Sequence, residues 1–223
     1  MRKKNWRKGI GIFVYIILVF SIGFSVYKII TTGDSGEALH TRSDYVLMLI
    51  QCCLGSIVLG LPSVLERKFS FQLPNSMSIA YFIFLFCAIY LGEVRNFYYL
   101  VPFWDDVLHC FSGAMLGAFG FALVKILNDS QRVNVELSPY FICLFAFCFA
   151  LAAGAVWEIY EFAGDSLLGL NMQKHTMADG TALMGRNAVK DTMHDLIIDA
   201  IGAFVVVHWG FIRIRKNKHK DEV

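Results

Sequence analysis

The sequence predicts an all-α, polytopic membrane helix bundle, and three observations carry that prediction. Of its 223 residues, 57% are apolar and 17% are charged, against about 45–50% and about 25% in ordinary soluble domains. The apolar residues are gathered into blocks. Several blocks run about 18–20 residues without a charge, long enough to cross a hydrocarbon core about 30 Å thick. With a net charge of +2, this pattern excludes a disordered chain, a disulfide-rich mini-protein and a typical nucleic-acid binder.

Six transmembrane segments are expected within a single integral membrane domain, residues 1–223. The first covers about residues 9–30, interrupted only by Lys28. The others cover about 45–65, 77–92, 104–127, 139–162 and 191–214, with an extracytoplasmic loop over 164–190. Glu93 and Arg95 interrupt the third, which either stops short or continues along the interface through Phe97, Tyr98 and Tyr99. The basic residues before the first segment suggest a secretory signal. Its apolar run is longer than a signal core of about 7–15 residues, however, and no small-residue cleavage pattern follows, so it reads as a retained helix.

Lys and Arg set the orientation. With the N-terminus inside, the cytoplasmic segments hold fourteen: Arg2, Lys3, Lys4, Arg7, Lys8, Arg67, Lys68, Lys125, Arg132, Arg213, Arg215, Lys216, Lys218 and Lys220. The other side holds six: Lys28, Arg42, Arg95, Lys174, Arg186 and Lys190. Positive charge favours the cytoplasmic side, which places both termini there. All six cysteines fall inside the segments as small apolar fillers, with no metal or disulfide spacing. Cys110 alone lies close to the charges described next.

Those charges are the informative residues. The fourth segment opens with Asp105 and Asp106 and continues to His109. The fifth ends with Glu158, Glu161 and Asp165, and the sixth carries Asp191, His194, Asp195 and Asp199. Ionisable groups at such depth cost several kcal/mol and normally face a bundle interior. Asp105 and His109 are four residues apart, as are Asp191, Asp195 and Asp199 in turn, while Glu158, Glu161 and Asp165 are spaced three and four. Each set shares one helix face. The faces continue as Ser112, Gly113, Gly117 and Gly120, as Gly154, and as Gly202, small residues that let transmembrane helices approach closely.

Alternating topology brings all three sets to the extracytoplasmic half of the bilayer. Only Asp199 reaches mid-membrane, about 12 Å below Asp191. Asp105, Glu158, Glu161, Asp165, Asp191 and Asp195 would total −6 if all were ionised, which requires compensation by cations or protons. A divalent metal (Zn, Mn, Fe or Mg) suits carboxylates with an imidazole. Shared protons are a second answer, and Arg95, Arg186 and Lys190 are a third if the outer loops fold over the pocket. Asp106, Asp165 and Asp191 also fit solvated helix ends, and Asp105 and Asp191 fit helix caps. His194 lies off its helix stripe and reads as a bystander. His40, His175, His208 and His219 carry no ligand spacing. The loop over 164–190, with Gln173, Asp179, Gly180, Gly185 and Arg186, reads as a lid or substrate-gripping element.

Several motifs resemble the YjdF-like family of bacterial inner-membrane proteins. They are Gly92-Glu93, Phe97 to Tyr99, and Pro102-Phe103-Trp104-Asp105-Asp106-Val107-Leu108-His109. Trp157-Glu158-Ile159-Tyr160-Glu161-Phe162, Asn171-Met172-Gln173, and Asp191-Thr192-Met193 before Asp195 complete the set. A looser similarity links the last three segments to VanZ-like proteins, although Asp199 precedes Gly202 where an Asn is commoner in that family. The resemblance implies a multi-pass protein of the bacterial cytoplasmic (inner) membrane and adds Glu93 and Gln173 to the pocket candidates. It implies no activity.

Two function classes stand. One is a metal-dependent enzyme acting at the outer leaflet on a lipid-linked envelope substrate. There His109, Glu158, Glu161 and Asp195 hold the cation and Asp105 is the base. The other is a proton- or cation-coupled transporter, against which the one-sided charge cluster and the lack of an evident inverted repeat count. A non-catalytic partner of envelope enzymes is a third, weaker possibility.

Overall fold

Apolar runs bounded by charges form helices here because, in lipid, backbone amides and carbonyls must be satisfied within the segment. The computed structural model describes residues 6–32, 42–69, 72–129, 137–177 and 181–221, with the side chains of 125–129 and 217–221 outside that description. His40, Arg132, Asp179, Gly180, Arg2, Lys3 and Lys4, and the side chains of Lys125, Lys218, His219 and Lys220, therefore lie outside the described residues.

The described residues form helices α1 (Trp6–Thr31), α2 (Arg42–Val58), α3 (Leu61–Phe69) and α4 (Asn75–Leu85). α4 runs on as a π-helical stretch, Phe86–Val94. The short α5 (Phe97–Leu100) and the long α6 (Trp104–Asp129), α7 (Pro139–Leu168) and α8 (Arg186–Asp221) follow. Six helices are long and apolar enough to cross a membrane, α2 with α3 forming one candidate, Arg42–Phe69, and α4 with its π-helical continuation another, Asn75–Val94. The only β-pairing among the described residues is one isolated bridge, Thr176 to Ala182.

Three boundaries differ from expectation. The third span neither stops short at Glu93 nor runs on through the aromatic stretch. The helix carries Glu93 in its π-helical part and ends at Val94, Asn96 turns left-handed at φ 63°, and Phe97–Leu100 is a separate helix. α7 continues past Phe162 to Leu168, where Gly169 takes φ 64° and donates to the Asp165 carbonyl, a glycine C-cap. α8 begins at Arg186, so Asp191 lies inside the helix and its expected capping role does not arise. The connection is accordingly residues 169–185 rather than 164–190.

The chain divides into two compact units, residues 1–104 and 105–223. In the first, α1 presents Val14, Leu18, Ser21 and Ser25 at spacings of four, three and four. Val14 and Leu18 join Cys52, Leu59, Phe82, Leu85 and Ile89 in an apolar core. Ser21 and Ser25 donate to carbonyls one turn earlier, at 2.9 Å each, so their burial leaves no hydroxyl unsatisfied. Both Arg7 guanidinium nitrogens reach the Glu66 carboxylate at 2.8 Å.

The second unit packs α6, α7 and α8 backbone to backbone. A Cβ on Gly202 would lie 2.1 Å from the Cys110 carbonyl oxygen, and one on Gly113 would lie 2.3 Å from that of Asp199. Gly120 meets Ala146 of α7 in the same way. Contacts between α6 and α8 advance together along both helices, Cys110 with Gly202 and Phe121 with Gly210. The two helices therefore run parallel. α7 runs against them, because Gly154 lies against Asp199 while Cys143, earlier in α7, approaches the carbonyl of Val207.

Candidate functional site

Parallel α6 and α8 with antiparallel α7 place the start of α6, the end of α7 and the start of α8 at one end of the second unit. Asp105 and Asp106 occupy the first turn of α6, where free amides and the helix dipole favour carboxylates. One turn later His109 is buried between α6 and α8. Its Nε2 lies 3.8 Å from Asp105 Oδ1 and 3.8 Å from Asp195 Oδ2. Donor atoms of Asp105, His109 and Asp195 all fall within 4.8 Å of one another.

The other imidazole nitrogen explains how the ring is aimed. His109 Nδ1 is 3.3 Å from Asp199 Oδ2, and the Ser112 hydroxyl donates to Asp199 Oδ1 at 2.9 Å. Asp199 is 2% exposed, and Gly154 makes room for it, since a Cβ there would lie 2.5 Å from Oδ2. With Asp199 on Nδ1, Nε2 is the nitrogen that points away from that contact. It faces two carboxylates at distances too long for hydrogen bonds. Either a proton on Nε2 or a cation among the three groups balances that arrangement.

Glu158 adds a second unmet demand. It is 5% exposed, and neither carboxylate oxygen makes a hydrogen bond of good geometry among the described residues, with the Thr192 hydroxyl near enough to act on it. Its electrostatic neighbours include His109, Asp191 and Asp105. Glu161, one turn on, is engaged differently and accepts from Trp157 Nε1 at 2.9 Å. Glu158 and Glu161 are not among the donors that lie within 4.8 Å of one another, whereas Asp105 is. A further group comprises Asp106, His194 and Asp195, so His194, the expected bystander, stands 3.7 Å from Asp106. That group is more open to solvent. Glu93 belongs to the first unit, in the π-helical stretch. Cys110 is exposed and meets α8 through its carbonyl.

The loop over 169–185 folds onto this end. Asp165, expected either at a solvated helix end or in the pocket, instead accepts from the Met172 and Gln173 amides at 2.7 and 3.0 Å, and its Oδ2 lies 3.2 Å from His175 Nδ1. Asn171 brackets the next turn, donating to the Thr176 carbonyl and accepting from its amide. Gln173 Nε2 donates to the Thr192 hydroxyl of α8 at 2.7 Å. Between these anchors Lys174 adopts a left-handed φ of 47° and extends its ammonium to Asp105 Oδ2, with Asp191 Oδ1 at 3.7 Å. Burial alone would lower the Lys174 pKa, but Asp105 and then Asp191 outweigh it and hold the ammonium above the usual lysine value.

Lys174 was the residue missed from the sequence, where it counted only as an orienting charge. The expected compensating cations Arg186 and Lys190 are both exposed at the start of α8. The one available signal was position, because Lys174 directly follows the Asn171-Met172-Gln173 motif.

Of the comparisons with known proteins, the family match describes a membrane protein, and none gives an activity. No solved structure matches the chain. An "Uncharacterized protein" of Thermotoga maritima is 28% identical over 146 residues, covering 65% of this chain and 67% of its own. The model of the family described as "Predicted membrane protein (DUF2238)" matches residues 12–216. The match takes in α6, α7 and all but the last residues of α8, and nearly all of the chain, so the chain belongs to the DUF2238 family of membrane proteins.

Proposed function

We propose that the chain is a metal-dependent enzyme of the bacterial cytoplasmic membrane, acting in the outer half of the bilayer on a lipid-linked envelope substrate. The observation that carries this reading is His109, aimed by Asp199 and Ser112 so that Nε2 faces Asp105 and Asp195. A tetrahedral ion with bonds of about 2.1 Å spaces its ligand atoms by about 3.4 Å. The two 3.8 Å separations need only small movements to close. The roles expected from helix spacing are therefore exchanged. Asp105 becomes a ligand with His109 and Asp195, and Glu158, with neither oxygen in a hydrogen bond of good geometry among the described residues, becomes the base.

A bound divalent cation supplies an activated water and polarises the substrate oxygen. Glu158 then takes the proton of that water, and burial at the helix ends limits competing bulk water. The outer-leaflet assignment rests on the excess of Lys and Arg in the segments assigned to the cytoplasm. A reporter inserted after Thr176 should be active only outside, and cytoplasmic activity would overturn the assignment. The YjdF-like and VanZ-like resemblances fit an envelope setting without adding chemistry. The transporter alternative would use Asp199 as the inward step, but that carboxylate is already committed to His109 and Ser112.

Elemental analysis of detergent-purified protein tests the metal. We expect about one equivalent of a divalent transition metal, retained by Glu158→Gln and lost by His109→Ala, Asp105→Ala and Asp195→Ala. Wild-type protein that neither retains nor rebinds metal after chelation would end this reading.

A further inference from the structure

We propose that Lys174 is a tethered cation that fills the gap between Asp105 and Asp191 in the metal-free protein and surrenders Asp105 when a divalent metal binds. The proposal rests on the metal-site reading above and adds to it a built-in competitor.

Three observations support the exchange. The Lys174 ammonium and the candidate metal draw on the same residue, through opposite oxygens. Asp105 Oδ2 meets Lys174, while Oδ1 faces His109 Nε2. A carboxylate shared by an ammonium and a dication is a weaker ligand than one free of the ammonium. Lys174 is also delivered by a loop fixed independently of that contact. Asp165 holds the Met172 and Gln173 amides and Gln173 holds Thr192, so only the lysine need move. Its left-handed backbone is a conformation that a non-glycine residue keeps only when the surroundings enforce it.

Charge supplies the third observation. Among the described residues, Asp105, Asp106, Glu158, Glu161, Asp191, Asp195 and Asp199 face one ammonium and the imidazoles of His109 and His194 at this end of the unit. Glu158 makes no hydrogen bond of good geometry among the described residues even with Lys174 in place. The lysine meets part of the demand for positive charge and leaves room for a dication. The ammonium leaves Asp105 still protonated and remains within reach of Asp191, so no proton need be exchanged.

The test is calorimetric titration of metal-stripped, full-length protein in detergent with Zn²⁺ and, separately, Mn²⁺. Wild type is compared with Lys174→Met and Lys174→Arg. Lys174→Met should bind about tenfold more tightly or better, and Lys174→Arg should stay within about threefold of wild type. Binding by Lys174→Met alone would overturn both the exchange and the metal site of the native chain. Equal or weaker binding by Lys174→Met, with wild type still binding, overturns the exchange and leaves the metal site intact. Failure of all three to bind overturns both.

Hydrogen exchange on the unmutated chain provides a check that needs no variant to fold. Saturating Zn²⁺ should speed exchange at the Lys174 amide by several fold while the Met172, Gln173 and Thr176 amides stay protected. An unchanged or slower rate at the Lys174 amide contradicts the proposal.

Discussion

The two units face the same membrane problem with different interiors. Residues 1–104 surround an apolar core, and their best-defined ion pair is balanced, with both Arg7 nitrogens on both Glu66 oxygens. Residues 105–223 replace that core, at one end, with carboxylates that outnumber their cations, one of them making no hydrogen bond of good geometry among the described residues. Helix packing differs as well. Gly55 of the first unit meets the Ile89 side chain, whereas Gly113 and Gly202 of the second meet backbone. A balanced pair and a yielding side-chain contact suit stability alone. Rigid backbone contacts around unsatisfied charge suit a site, because they stop the helices from moving apart to relieve the repulsion.

The largest expected contrast between the units is steric. Gly202→Ala pushes a methyl to 2.1 Å from the Cys110 carbonyl oxygen, so α6 and α8 must separate. We expect a loss of at least about 3 kcal/mol, seen as failed accumulation or a much lower Tm in detergent. Gly55→Ala places its methyl 2.3 Å from the tip of Ile89, which can rotate away, and should cost about 1 kcal/mol. Gly117 lies 3.5 Å from Ala203, so Gly117→Ala should be nearly neutral and Gly117→Leu disruptive. Equal losses for Gly55→Ala and Gly202→Ala would remove the distinction between the two interiors.

A smaller contrast concerns single carboxylates. Glu66→Gln weakens its two contacts with Arg7 and the one it accepts from the Leu73 amide, and should cost about 1–2 kcal/mol. Glu158→Met removes a buried carboxylate that makes no hydrogen bond of good geometry among the described residues. Measured without metal, it should melt at or above the wild-type temperature, by up to about 1 kcal/mol. A Glu158→Met protein that melts lower, as Glu66→Gln should, would make Glu158 a structural residue.

The spans were legible because apolar length alone decides whether a helix can cross. Their ends were less so. Charged and polar residues such as Asp165 and Lys190 carry no penalty at a membrane surface, and the hydropathy signal stops before the helix does. Gly169 marked the true end of α7, but a single glycine in a polar stretch resembles any loop residue. The site was half legible. Helical spacing put His109, Glu158, Asp195 and Asp199 on inward faces, yet it cannot give depth across neighbouring helices. Spacing alone therefore does not assign the roles of Asp105 and Glu158. Spacing also passed over His194, whose nearness to Asp106 depends on how α6 and α8 meet. Lys174 depends on how a loop folds back, which no periodicity records.

X-ray absorption at the metal edge of Zn²⁺-loaded protein tests the central claim most directly, namely that one end of the second unit forms a cation site from His109, Asp105 and Asp195. The account predicts one imidazole nitrogen and otherwise oxygen at about 2.0–2.2 Å, with the imidazole signal lost in His109→Ala. A sulfur shell near 2.3 Å, or an imidazole signal that survives His109→Ala, would place the metal elsewhere and contradict it.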